Sequence, residues 1–358
     1  MHLRVLPKLH YLVHQLQTRP LSTAAGAAFR QVKQTLKQVD PYSRIRIQCR
    51  CNLRIVPADL LDNPESNVLK VTLSSDNYNV NVQISGKEVT IDGDSSGAEG
   101  DPAPDCLLEV PIKADLEVSN NGGSTSIADL YSDEIRVKSD GDIATKSLRC
   151  TVIDLASVDG NISCGGTTLA QTVRVACTGK GNILLDKLQG GEVDAESNEG
   201  SINVNSSYTN SSCFRTTRGD LTLNNIHKLC RVFSGGPGKL AMNGFYGTLQ
   251  ADVASSELDL QLSELVGASN ISATSARLVK LSVSDTVHDG TEIAIKCGQL
   301  EIDPNLAGGT IQSQPQDGHT VVGDSSRENR LNVDAGAGRV VLKKMSWADT
   351  FGFNLKVQ

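Results

Sequence analysis

Aromatic rings are what this chain has least of: they make up 4% of its 358 residues, with a single Trp. An interior so poor in rings has to be filled by Ile, Leu and Val, which suits many thin layers better than one thick core. Nowhere does an apolar run reach the roughly 20 residues that a membrane-crossing helix takes, so no transmembrane segment is expected. The sequence has no C-x-x-C pair for zinc or redox work, no His pair at helical spacing past the first 21 residues and no elbow motif for a serine nucleophile. Acidic residues are missing from everything up to Val39. Each gap removes a chemistry, and together they point away from catalysis.

What the chain has instead is one short pattern that returns: apolar-x-apolar, a polar turn, Gly, a polar residue, then Ile or Leu. The Gly falls at 123, 141, 160, 181, 200, 219 and 238, and Ser256 takes the next place. The pattern fades near Arg277 and returns at Gly298, Gly318 and Gly338. Twelve anchors between 123 and 338 give a mean step of about 19.5 residues, a solenoid period.

Two residues past the anchors stand Ile143, Ile162, Ile183, Ile202, Leu221, Leu240 and Leu258. Four past them stand Leu185, Val204, Leu223, Met242 and Leu260. A spacing of two puts both positions on one face of a strand. One coil is therefore a few short strands separated by corners, and it buries its apolar face only by stacking on the next coil. The expected fold class is all-β: a single-stranded β-solenoid, or β-helix, with coils of about 19 residues and a cap at each end. Gly, Asn, Asp and Ser at the corners are read as supplying left-handed backbone and side-chain-to-backbone bonds.

The first 21 residues are basic and amphipathic, with Arg4, Lys8 and Arg19 and an apolar stripe of Val5, Leu9, Leu12, Val13 and Leu16. Lys8, His10, His14 and Gln15 interrupt the apolar centre that a secretory signal needs, so the stretch reads as a mitochondrial transit peptide, with the matrix as destination. Removing those three cations takes the formal charge from −7 to −10, which argues against a nucleic-acid partner. Phe29, Val32, Leu36 and Val39 form a second stripe, read as a helix. The organisation expected is a transit peptide over 1–21, an N-terminal helix and β cap over 22–111, the solenoid over 112–345 and an aromatic cap over 346–358.

Candidate interaction residues fall at both ends. Arg44, Arg46, Arg50 and Arg54 alternate with apolar residues over 45–55, read as one long strand. They form either a cationic stripe for phosphate or RNA or the charged outer face of an end strand, and the second reading is adopted. Trp347, Phe351 and Phe353 bring rings back after a long gap, as a plug over the last coil or as a docking tail.

Asp142, Asn161, Asn182, Ser201 and Asp220 would line up along one edge. They are read as turn chemistry rather than a calcium ladder, because Lys239 and Arg339 break the row. His227, His288 and His319 are read as corner residues at the surface. The nine cysteines are read as reduced and mostly buried, with Cys49 and Cys51 on one strand face. No metal site or cofactor follows.

Two sets of motifs resemble known families. Leu107-Leu108-Glu109-Val110-Pro111, Leu116-Glu117-Val118 and Ser139-Asp140-Gly141-Asp142-Ile143 resemble the adhesin-type β-solenoid domain of many bacterial proteins. Asp40-Pro41-Tyr42-Ser43-Arg44-Ile45-Arg46, Leu185-Asp186-Lys187-Leu188-Gln189-Gly190 and Ser346-Trp347 resemble, more narrowly, the animal family with sequence similarity 185. The resemblance spans nearly all of 40–358. It implies a β-solenoid and a mitochondrial address, and it supplies no catalytic residue.

The function expected is a non-catalytic mitochondrial scaffold or binding protein, monomeric, with a protein partner. One alternative is a carbohydrate-active β-helix enzyme, whose loop insertions the near-constant steps do not provide. The other is a thiol- or metal-binding protein built around Cys49 and Cys51. Replacing Arg4, Lys8 and Arg19 with Gln is expected to leave the protein in the cytosol, read by imaging of a tagged full chain. Unchanged mitochondrial signal would reject the address.

Overall fold

The structure, a computed structural model, describes residues 33–75, 78–95, 103–306, 311–314 and 319–345. All belong to one compact unit, Gln31–Gln358. The middle of the chain is a parallel β-solenoid. Ile183, Ile202, Leu221, Leu240 and Leu258 pair in a single row, each beside its counterpart in the next coil. None is more than 1% exposed, and Leu185, Val204, Leu223, Met242 and Leu260 form a second row at 0%. Each such side chain contributes about 1.5–3 kcal/mol of burial energy. In this region the arms of a coil merge into one bent strand, as in Ile183–Ser197, Ile202–Thr216 and Leu221–Ser234.

Backbone contact dictates the anchors. A Cβ on Gly141, Gly160, Gly181, Gly200, Gly219 or Gly238 would stand 2.0–2.4 Å from the carbonyl oxygen of the preceding anchor. Left-handed backbone, the expected reason for glycine, holds at other corners, Gly166, Gly244 and Gly267 among them, but of the seven anchors from 123 to 238 only Gly123 has positive φ, at 101°. The other six are glycine because two backbones meet there and leave no volume for a methyl group.

Side chains around this column bond the coils together. The Asn161 N–H donates to Asp142 Oδ1 at 2.7 Å, Asn182 to Asn161 Oδ1 at 3.0 Å and Ser201 to Asn182 Oδ1 at 2.9 Å. Lys239 N–H closes this row on Asp220 Oδ1 at 2.7 Å. On the inner side, the Ser197 hydroxyl donates to the Gly181 carbonyl and accepts from the Gly200 N–H, both at 3.0 Å. Thr216 repeats the arrangement one coil on. The polar row is therefore engaged by backbone, as turn chemistry requires.

Both ends depart from the expected order. Residues 44–57 are not one strand outside the repeat but a full coil, Arg44–Cys49 and Asn52–Pro57, turning at Arg50 and Cys51. Ile45 and Ile47 stack on Leu116 and Val118, and Ile55 on Ile127. Residues 58–114 are an insertion between two stacked coils, which is why the spacing hides the first one. Within the insertion, Glu88–Ser95 and Asp105–Val110 lie parallel on the outer side of the first coil. Tyr78–Ser85, Val68–Leu73 and Lys33–Gln38 then continue antiparallel. Lys33–Gln38 is thus a strand where a helix was expected. Pairing with Val68–Leu73 overrides a weak helical stripe, and Leu36 is left 63% exposed.

At the other end the coils are stacked out of chain order. Arg339–Lys344 packs between Leu278–Val283 and Gln299–Ile302. Asn329–Asp334 packs likewise between Ala268–Ser272 and Thr291–Lys296. The anchors follow suit: a Cβ on Gly338 would meet the Ala276 carbonyl at 2.1 Å, and one on Gly298 the Ala337 carbonyl at 2.4 Å. Gly318 lies outside the described residues; beside it, His319–Val322 runs antiparallel between Ile311–Gln314 and Thr291–Lys296. The coil at Gly338 is therefore interior. Trp347, Phe351 and Phe353 themselves lie outside the described residues.

The glycine column gives a direct test by chemical denaturation. Gly200→Ala is expected to cost about 3 kcal/mol by overpacking backbone on backbone. Gly86→Ala, at φ 62° with open space around it, should cost only about 1 kcal/mol. Equal losses would overturn the close-approach account.

Candidate functional site

A period that aligns apolar side chains inside the solenoid also aligns side chains outside it. Eight residues past Gly200, Gly219, Gly238 and Ser256 stand Tyr208, His227, Tyr246 and Glu264. The three rings form a stack: Tyr208 and His227 have centroids 4.6 Å apart at 27°, and His227 and Tyr246 4.7 Å apart at 7°. That is the strand-to-strand distance of a sheet, so the ladder itself sets the stacking. Tyr246 lies in register with Glu264, which ends the row.

Beside the stack the coils turn sharply. Lys228 has φ 63° and Gly247 φ 147°. A Cβ on Gly247 would stand 2.0 Å from the Lys228 carbonyl oxygen. A lysine in left-handed backbone costs about 1–2 kcal/mol. The turns hollow the flank into a groove of about 640 Å³, lined by the three rings with Asn210, Lys228, Leu229, Gly247, Thr248, Glu264 and Val266. Tyr208 and Val266 are 46% and 54% exposed, so the groove offers apolar surface to solvent. Behind Tyr208, the hydroxyls of Ser207, Thr209 and Ser212 bond to one another at 2.8–3.0 Å in an otherwise apolar interior.

The charges in the groove are sparse. Burial pushes the His227 imidazole below its ordinary value, against the pull of Glu264, so the ring is neutral at neutral pH. The Lys228 ammonium donates to Asn210 Oδ1 at 2.6 Å. Glu264 is exposed and makes no ion pair among the described residues.

The residues singled out from sequence lie elsewhere. Arg44 pairs with Glu134 at 3.2 Å, and Arg46 with Glu117 at 3.2 Å and Glu88 at 3.5 Å. Arg50 and Arg54 are exposed. Their strands are flanked on both sides, so they are not end strands. His227 is no corner residue; it is the centre of the ring stack. The signal for it was the constant offset of eight from the anchor, on outward positions that a search for inward rows passes over. Cys49 and Cys51 are buried, and Cys106 joins them from the insertion. No group of three or more metal-ligating side chains occurs among the described residues.

Fold and groove together define a β-solenoid repeat protein with a ring-lined flank. Residues 61–225, a little under half of the chain, match the family model Toastrack DUF4097, so the repeat region is adhesin-like. Most of the groove lies beyond that stretch. Solved structures add distant similarities. A candidate adhesin of Bacteroides fragilis NCTC 9343 is 16% identical with a TM-score of 0.40, covering 66% of this chain and 99% of that one. One from Parabacteroides merdae ATCC 43184 is 14% identical at 0.43, covering 66% and 96%. A third, from Parabacteroides distasonis ATCC 8503, is 11% identical at 0.42, covering 87% and 96%. Likeness at that level assigns no function.

The stack can be tested by titration. Its depressed value means that neutral His227 is favoured in the fold, so this stability is complete above the free imidazole value of about 6.5 and is lost as pH falls through the lower folded value. NMR of the His227 ring should show protonation below that of a free histidine, lower still in Glu264→Gln. Lys228 is the other charged group beside it. Titration at or above the free value would contradict the packing.

Proposed function

We propose that this is a non-enzymatic mitochondrial scaffold that docks a protein partner in the groove along Tyr208, His227 and Tyr246. The observation that carries the reading is the ring stack itself: a chain with 4% Phe, Trp and Tyr aligns two tyrosines and a histidine on one flank. Tyr is among the side chains that dominate the energy of protein interfaces. The adhesin-like repeat region and the narrower resemblance to the animal family with sequence similarity 185 support the same class. The basic, acid-free start supports the mitochondrial address.

Chemistry narrows the partner. Lys228 is engaged with Asn210, His227 is neutral, and Glu264 is the exposed carboxylate of the groove. A cationic side chain fits best, with Arg or Lys against Tyr246 and its charge on Glu264, a contact worth about 0.5–2 kcal/mol from the ring alone. The strands here are bonded to coils on both sides, so the partner adds no strand and must be read through its side chains. Glycoside hydrolysis takes a pair of carboxylates, whereas Glu264 is the one carboxylate among the described lining residues.

Selection of short random peptides on the purified protein tests this. The expected outcome is enrichment of Arg or Lys beside apolar residues. Binding should fall roughly tenfold, about 1.4 kcal/mol, in Tyr246→Ala and in Glu264→Gln. Asn182→Ser, on a different corner, should bind as before. No enriched motif, or binding that ignores both groove variants, would reject the site.

A further inference from the structure

Cys49 and Cys51 stand on either side of Arg50, where the first coil turns from Arg44–Cys49 into Asn52–Pro57. Both are buried, at 7% and 0% exposure. The insertion brings a third thiol to them. Asp105–Val110 lies parallel to Asn52–Pro57 with Cys106 opposite Leu53, and Cys106 is 3% exposed. Tyr78 closes the cluster from Tyr78–Ser85, its hydroxyl accepting from the Arg50 N–H at 3.4 Å. Gly93 makes room for that hydroxyl, since a Cβ there would stand 2.1 Å from it. The turn is held by Asn120, whose amide donates to the Cys51 carbonyl at 2.9 Å and accepts from the Cys51 N–H at 3.4 Å.

The sulfurs are not equivalent. Cys106, Cys49 and Tyr78 beside Cys51 hold its thiol well below the usual range in spite of burial. Cys49 and Cys106 are pushed up by donating to Cys51. A thiolate with a protonated thiol beside it is the arrangement of an attacking and a resolving cysteine. Cys164 and Cys230, by contrast, are pushed up, chiefly by burial.

We infer that Cys51 and Cys106 are a redox latch, closing to a disulfide that ties the insertion to the first coil when the protein meets hydrogen peroxide. The Cys51 thiolate attacks one peroxide oxygen, the O–O bond breaks, and Cys51 becomes a sulfenic acid while the leaving hydroxide takes up a proton as water. The Cys106 sulfur then attacks the Cys51 sulfur, the S–O bond breaks, and the oxygen leaves as a second water with the Cys106 proton. Two thiols and one hydrogen peroxide give one disulfide and two waters, the sulfurs losing the two electrons that the peroxide gains. Cys106 is the resolving partner because a bond from Cys51 to Cys49 would close a ring over the single residue Arg50. The bridge from Cys51 to Cys106 joins two strands already paired. It fixes in place the segment that covers the outer side of the first coil.

Peptide mapping of the native full chain after titration with hydrogen peroxide tests the latch. The first product is expected to be a Cys51–Cys106 linked peptide, with the intact mass lowered by two hydrogens and restored by a thiol reductant. Cys106→Ser should lose the link and leave Cys51 oxidised, while Cys150→Ser should form it as before. The wild-type map alone decides the matter if Cys106→Ser does not fold. Any other cysteine pair forming first, oxidation of Cys51 beyond sulfenic acid without a link, or thiols untouched by peroxide that oxidises free cysteine would each overturn the proposal.

Discussion

Backbone lying directly on backbone at the glycine anchors is the constraint on which this solenoid depends. Where Gly181, Gly200 and Gly219 stack, no side chain fits between the coils. The neighbouring positions are then placed by covalent geometry: two residues on, an inward Ile or Leu; one residue on, a polar side chain accepting from the next coil; eight residues on, an outward side chain. The rows of the core and the ring stack on the flank are two consequences of one close contact. A change at an anchor therefore acts on both, by pushing coils apart along the axis that sets the ring spacing.

The interior was legible in the sequence because burial and strand alternation act within one coil. Ile183 and Leu185 declare themselves locally, and their counterparts repeat the declaration. The reason for the anchor glycines was not legible, since close approach and left-handed backbone both select glycine and, of the seven anchors from 123 to 238, only Gly123 uses the second. Coil order was not legible either. Gly298 and Gly338 carry the same local signature, so nothing in the pattern says that Arg339–Lys344 inserts between Leu278–Val283 and Gln299–Ile302. Order is fixed by how the links between coils run, which is long-range information. The first coil was missed for a related cause: its partner coil comes after an insertion, so the spacing that identifies a repeat is broken.

The groove shows a different kind of blindness. Tyr208, His227 and Tyr246 sit at a fixed offset and were available to any search of outward positions, yet their meaning needed the turn at Lys228 and Gly247 to be seen. An outward row on a flat sheet face is only a row. Hollowed by left-handed backbone and ended by an exposed carboxylate, it becomes a place with shape and sign. The arginines at 44 and 46 illustrate the converse. As a sequence stripe they suggest a cationic surface, but the stacked coils bring Glu88, Glu117 and Glu134 against them, and their charge is spent within the fold.

A parallel stack also has to stop, and here it changes direction over the first coil and, at the other end, over the arm Thr291–Lys296. Tyr78–Ser85, Val68–Leu73 and Lys33–Gln38 run antiparallel over the first coil, and His319–Val322 runs antiparallel over Thr291–Lys296. An antiparallel strand does not present the inward rows and glycine column that a further coil would need. The N-terminal end is built from an insertion rather than from the repeat, and it is held to the first coil by strand pairing and by the contact of Cys51 with Cys106. Repeat stability adds up coil by coil through neighbour contacts, so loosening at this end would expose the apolar rows of the first coil before disturbing the groove many coils away. The thiol cluster sits where one covalent bond could suppress that loosening while leaving the ring stack and its ligand surface unchanged.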